Sequence, residues 1–335
     1  MSGEHALDQA TKKLEEEVQH ETPDEAKARA AGKGALVNVP FVIANLLFVA
    51  LIVAILIPGE VMVRTSVPFI VASCIVEALF LWRYLAGGRK RSTCHIVSVI
   101  WLLFIVWEVA STDLGVTHPV LIPNPENVFN VFPRVWDEML LNVYSSLTLL
   151  LQGFATSLVA ATVIGLFVGW MPKVREIVYP IAKVLAPVPA IVFAPYLVML
   201  MPSFRMAAVM VIFLGIFWPT LMRTILSVEE MDRRIVESAR MLEVSTFDMI
   251  FRVFLPYMYP SIVTGLKVQL PSAMLMLVMA EMYGATSGLG YFVINYTNYA
   301  NYANVVAGII MVGIVVTILD YLVSLLIRKT VKWSQ

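Results

Sequence analysis

Residues 36–57 run without one charged side chain. A helix of that length crosses the hydrocarbon core of a bilayer. Such a segment has few ways to fold. In lipid every backbone N–H and C=O must find a partner, so an apolar run becomes a helix. Seven more runs lie at 67–85, 96–110, 141–170, 177–201, 206–226, 257–282 and 305–327. The third is short for a span, and the fourth is long enough to tilt or to project. The reading is an all-α, polytopic membrane protein with about eight transmembrane helices. Composition agrees: 59% of residues are hydrophobic and 14% charged, where soluble domains hold about 45–50% apolar residues. A formal net charge of zero gives no polyanion-binding signal, so nucleic acid is not expected as a partner.

Basic residues set the sides of the membrane. With the opening tail inside, the inner loops carry Arg89, Lys90 and Arg91, then Lys173 and Arg175, then Arg233, Arg234, Arg240 and Arg252, and last Arg328, Lys329 and Lys332. The outer loops carry only Arg64, Arg134 and Arg205. Both termini are therefore expected in the cytoplasm. Residues 1–34 read as a polar cytoplasmic tail rather than a cleavable signal, because no short apolar segment comes directly after its basic residues. Cys74 and Cys94 read as small apolar fillers, with neither metal-ligand spacing nor a disulfide framework.

The most informative polar stretch is "VESARMLEVSTFDMIFRVFLP", 236–256. Its first part has amphipathic periodicity, with Ile235, Ala239 and Leu242 on one side. Arg233, Glu237 and Arg240 lie at pairing distance along the other. Ser245, with Asp248 three residues on, reads as the cap of a second short helix. Leu255-Pro256 reads as a break or kink before the next span. Periodicity leaves two readings open: a connector resting on lipid headgroups, or a docking element for a soluble partner.

The spacing from Glu237 to Pro256 resembles the cytoplasmic EAA loop of ABC importer permeases. That loop reads Glu-Ala-Ala, three residues, Gly, nine residues, Ile-x-Leu-Pro. Glu237, Ala239, Leu255 and Pro256 match it, and Ser238 and Val253 are mild replacements. Glu243 stands where the pattern has glycine. From about Ile96 to Trp333 the chain resembles the nitrate/sulfonate/taurine branch of that family. The carriers are Trp107-Glu108, "LIPNPENVF" (121–129), the proline-rich "LAPVPAIVFAPYLVML" (185–200) and "AEMYGATSGLGYFV" (280–293). After Leu200 the family usually shows "WFGIG", and this chain has "MPSFRM" instead.

The resemblance implies a type I ABC importer permease core at 95–335, preceded by two extra spans at 35–94, with its ATPase-coupling loop at 228–256. It implies a multi-pass protein of the bacterial inner membrane that moves a small solute inward, with anions of the nitrate, sulfonate or taurine kind among the candidates. Its partners would be separate ABC ATPase subunits, an extracytoplasmic solute-binding protein and a second copy in a homodimer. Within the loop, Glu237, Ser238, Ala239, Leu242, Glu243, Val253, Leu255 and Pro256 would carry the coupling. ATP and magnesium would bind the partner ATPase, and this chain would hold no cofactor. That agrees with the residues, which include no Gly-x-x-x-x-Gly-Lys-Ser/Thr loop and no cluster suited to a metal or to catalysis. The competing class, a secondary transporter or channel working without an ATPase, needs more paired charges deep in its spans than Glu77, Glu108 and Lys183 supply.

Candidates for the translocation path are polar or helix-breaking residues at membrane depth: Gln152, Pro187, Pro189, Pro195, Gln269 and Glu281. For Glu281 two readings stand, a structural bond to loop amides and a place on the path. Gly165-x-x-x-Gly169 reads as a close helix contact. Glu77 and Arg83 read as partners for the core or for each other.

Overall fold

A computed structural model describes residues 38–57, 59, 61, 63, 65–86 and 91–330; the tail at 1–34 lies outside them. Among the described residues, seven helices are long and apolar enough to cross a membrane, or eight if one bent pair counts as a span. The chain divides into two compact units, after Asn130.

The first unit contains α1 (Val39–Leu56), α2 (Val67–Ala86), α3 (Arg91–Glu108) and the short α4 (Pro125–Phe129). The end of α3 widens into a π-helical turn, Val109–Asp113. The third apolar run, short by hydropathy alone, is thus a span of 23 residues. The polar residues from Arg91 to His95 extend the helix at its start and the π turn extends it at its end. The sequence reading groups this span with the core that begins at residue 95. In the structure its main partner is α1. Ala44, Leu51, Phe69, Phe80, Tyr84 and Trp101 form the shared core. Glu77 is buried there, and its Oε2 accepts a hydrogen bond from Trp101 Nε1 at 3.0 Å. Its recorded bond is therefore to the core rather than to Arg83.

The second unit is built on one helix pair. After α5 (Val131–Arg134) comes α6 (Trp136–Trp170), 35 residues long, which lies along α9 (Phe204–Glu229). Glycines make that approach possible. A Cβ on Gly153 would sit 2.8 Å from Ile212 Cβ, one on Gly165 2.7 Å from Thr224 Cβ, and one on Gly169 2.8 Å from Val228 Cβ. Real side chains do not tolerate such distances, so the backbones meet only because these positions carry hydrogen.

Between the two helices the sequence suggests one span, 177–201. The structure has it as a bent pair, α7 (Pro172–Leu185) and α8 (Ala194–Leu200), with an angle of 82° at the break. Pro187 and Pro189 lie in the break, before one 3-10 turn, Ala190–Phe193. Proline supplies no N–H and pushes its predecessor out of helical geometry, which explains the corner. Downstream lie α10 (Arg233–Met241), α11 (Thr246–Asp248), a π-helical segment (Met249–Phe254), α12 (Leu255–Glu281), α13 (Leu289–Asn298) and α14 (Tyr302–Thr330).

Candidate functional site

Two constructions stand out at opposite ends of α12. The first is the charged loop. Asp232 opens α10 by accepting a bond from Arg234 N–H at 2.9 Å. The helix ends at Met241, and Glu243 takes φ +51°, the left-handed conformation. Val244 N–H then returns to the Ala239 carbonyl at 3.2 Å. This is the Schellman arrangement, in which glycine is the favoured left-handed residue. Here a glutamate occupies it.

The turn decides which side chains face inward. The sequence periodicity puts Ile235, Ala239 and Leu242 together. In the structure Ala239 is buried with Met231, Met249, Ile250 and Phe254, and Val236 and Val244 pack against them. Leu242 is 77% exposed and Met241 86%. The left-handed step at Glu243 turns the chain, so Val244 rather than Leu242 completes the buried side. Glu237 and Ser238 are exposed as well.

Ser245 caps α11, as its spacing suggests. Its Oγ accepts from Asp248 N–H at 3.1 Å and donates to Asp248 Oδ2 at 2.7 Å. Asp248 also pairs with Arg252 at 3.1 Å. Of the two readings for Leu255-Pro256, the break is not found: the chain is helical from Thr246 to Glu281, a span of 36 residues. The π-helical segment immediately precedes Leu255 and Pro256. It alters the hydrogen-bond ladder where a proline ring would otherwise strike the preceding turn. Val253 and Leu255 are half-buried there and Pro256 is exposed. Trp170 meets Phe254 with ring centres 5.3 Å apart, and Phe167 meets Phe251 at 6.2 Å. Arg175 of α7 pairs with Glu229 of α9 at 3.4 Å. Both line a 320 Å³ cleft with Arg233 and Glu237.

The second construction is a knot around Glu281, which is fully buried. Its Oε1 accepts from Ser146 Oγ at 2.7 Å, and its Oε2 accepts from Gly290 N–H at 2.7 Å. Ser146 Oγ in turn accepts from Leu289 N–H at 2.8 Å, and Asn142 Oδ1 accepts from Gly288 N–H at 2.7 Å. The first amides of α13 are thus satisfied by side chains of α6 and α12. A carboxylate at a helix N-terminus also opposes the positive end of the helix dipole.

The glycines are dictated by this geometry. Gly288 has φ +125°, and the Glu281 carboxylate occupies the place where its Cβ would stand. At Gly290 a Cβ would meet the Val278 carbonyl. Farther along α13, Tyr296 donates to Glu138 Oε2 at 3.0 Å. Burial raises the Tyr296 phenol above its usual range, and the Glu138 carboxylate adds to this. Asn142 and Ser146 are absent from the sequence-level candidates. Their spacing of four residues on α6 is the signal that places both on one face.

The comparisons with known proteins bear on these elements. The family described as binding-protein-dependent transport system inner membrane component matches residues 161–332. The chain belongs to that family. It is a membrane-spanning transport permease. A putative aliphatic sulfonates transport permease, SsuC of Bacillus subtilis, is 28% identical over 69% of this chain and 84% of that relative. The taurine transport system permease TauC of Escherichia coli is 27% identical over 75% and 93%. A nitrate import permease, NrtB of Leptolyngbya laminosa, is 26% identical over 82% and 90%.

Among the described residues the six path candidates lie in different local settings. Gln152 lines a 470 Å³ cleft with Arg205, Met206 and Phe213. Gln269 donates to Thr220 Oγ1 at 3.0 Å, joining α12 to α9. Pro187 and Pro189 belong to the corner between α7 and α8, and Pro195 starts α8. Glu281 lies inside the knot.

The left-handed glutamate gives a direct prediction. Glu243→Gly is expected to stabilise the loop by about 1 kcal/mol, because glycine carries no Cβ penalty at positive φ. Hydrogen exchange at the Val244 amide should slow. Unchanged or faster exchange would mean that Glu243 is not held in this turn.

Proposed function

We propose that the permease is the transmembrane subunit of an ATP-driven importer that carries a small anion of the nitrate, sulfonate or taurine kind inward. A separate ABC ATPase docks on residues 228–256, and an extracytoplasmic binding protein delivers the solute. Two copies form the working unit, and both termini are cytoplasmic. ATP and magnesium belong to the partner ATPase.

The observation that carries the coupling role is the shape of the loop. Its first helix presents Glu237, Met241 and Leu242 outward, with Phe247 64% exposed just beyond. Exposed large apolar groups beside a charge are what a partner's groove would cover. The anchored side, through Ala239, Val244 and Phe254, joins this helix to α6, α9 and α12. A push on the exposed face is therefore delivered to packed helices rather than absorbed in slack chain. The solute class is supported by the relatives described above, and the orientation by the distribution of lysine and arginine.

Glu237→Arg reverses a charge on the exposed face without touching the buried one. It should abolish co-purification of the ATPase and binding-protein-stimulated ATP hydrolysis, while the variant still elutes as folded protein. Retention of both activities would remove Glu237 from the docking surface.

A further inference from the structure

One departure in the sequence is not used by the transport reading. After Leu200 the chain reads "MPSFRM", 201–206. Met201, Ser203, Arg205 and Met206 of that stretch line the 470 Å³ cleft that also takes Gln152 of α6. The cleft opens where α6 and α9 meet. A Cβ on Gly153, next to Gln152, would sit 3.1 Å from the Val209 carbonyl oxygen. Arg205 lies four residues before Val209, one helical turn or about 6 Å along α9. The arginine and the glutamine thus reach one space from two helices.

Both side chains are unengaged. Among the described residues Arg205 forms no salt bridge, and the Gln152 side chain has no hydrogen bond. The bond recorded for Gln152 is through its backbone carbonyl, which accepts from Thr156 Oγ1 at 2.7 Å. Ser203 Oγ accepts from Met206 N–H at 3.4 Å, which leaves its own hydrogen to donate. No acid lines the cleft among the described residues. Acids elsewhere on these helices are spent or distant. Glu138 accepts from Tyr296, and Glu281 lies inside the knot. Asp137 is about 22 Å along α6 from Gln152.

Depth adds a second constraint. Gln152 is exposed and stands sixteen residues, about 24 Å, into α6. Hydrocarbon offers an unbonded amide no partner, so this face of α6 meets water or solute rather than acyl chains. One cation and two neutral donors on a wall of Met, Val and Phe suit an anion. The apolar wall strengthens each charge-assisted bond.

We propose that this cleft is an anion-binding station on the transport path. The Arg205 guanidinium holds an oxyanion head in its fork, the Gln152 amide and Ser203 hydroxyl donate to it, and Met206 and Phe213 cover a short organic tail. The station rests on the reading of an importer for nitrate- or sulfonate-like solutes, and it says which residues of this chain hold the solute. A phospholipid phosphate has the same chemistry, but its headgroup stays at the membrane surface and does not reach the depth of Gln152.

Saturation-transfer NMR with ethanesulfonate, on the full-length permease in uncharged detergent, tests this. Affinity should fall about tenfold or more in Arg205→Gln, the loss of one charge-assisted bond. Gln152→Leu should weaken binding less. Arg205→Lys should fall between wild type and Arg205→Gln, because the charge stays and the fork is lost. Both side chains are exposed, so the variants should keep a monodisperse size-exclusion peak; if Arg205→Gln does not, Arg205→Lys and Gln152→Leu decide. Equal binding by wild type and these variants would overturn the proposal. So would equal binding of ethyl methyl sulfone, which has a similar shape and no charge. Phosphatidylglycerol added to the micelle should leave the signal in place; its complete loss would assign the cleft to a lipid headgroup and overturn the station. Uptake into vesicles that also hold the proposed ATPase separates the two readings. Ethanesulfonate binding without ATP-driven uptake would keep the station and remove the importer reading. Uptake without binding to the permease would overturn the station alone.

Discussion

Glu281→Ala is expected to cost the permease most of its thermal stability margin and to abolish transport. The substitution leaves the Gly290 amide and the Ser146 hydroxyl without their acceptor in a fully buried place. Each unmet donor costs about 1–3 kcal/mol, and the cavity left by the side chain adds to that. The start of α13 also loses the negative charge that faces its dipole. Glu281→Gln separates the parts. Its shape fills the site, but one of its two ends must now present N–H to an N–H or O–H donor, so it should fall between alanine and wild type. Thermal unfolding in detergent, with uptake into vesicles that also hold the proposed ATPase, would measure both. If Glu281→Ala unfolds like wild type but stops transport, the residue belongs to the path, and the structural account of the knot is wrong.

Gly165→Val should have a comparable effect by a different cause. A Cβ there would stand 2.7 Å from Thr224 Cβ and 3.3 Å from the Leu221 carbonyl oxygen. The carbonyl is backbone, and Thr224 is buried with its hydroxyl bonded to Thr220 O at 2.8 Å. Neither neighbour can swing aside. The two helices must part, and overpacking of this kind costs about 1–3 kcal/mol where the core can yield. Here the contact is the main helix pair of the unit, so aggregation or loss of the monodisperse peak on size exclusion is the expected reading. Gly165→Ala should be milder in the same direction. A valine variant as stable as wild type would show that α6 and α9 do not meet at this point.

Most of the architecture was legible because lipid leaves a long apolar run one conformation. Seven of the eight runs became helices near their expected limits, and the glycine pair at 165 and 169 marked the close contact. The run at 177–201 is bent by 82° at its break, an angle that hydropathy does not give, because it counts apolar residues without regard to direction. Pro187 and Pro189, helix breakers in the sequence reading, lie at the corner. Glutamate in place of the pattern's glycine pointed to a turn of another shape, yet Glu243 takes the left-handed conformation that favours glycine. What could not be read was the partner of each buried acid. Ser146 and Asn142 lie 135 or more positions from the groups they bond. A spacing of four on α6 says that they share a face, but not what that face meets. Pro256 allowed a break or a kink, and the π-helical segment placed before it leaves no composition signal.

That continuous helix has a mechanical consequence. From Thr246 to Glu281 it has 36 residues, and at the ordinary rise per residue it is a rod of about 50 Å. One tip is the Ser245 cap beside the charged loop. The other is the carboxylate that anchors α13. A twist applied at the loop would therefore reach the knot along one helix, past the π-helical segment at 249–254 and Pro256, Pro260 and Pro271.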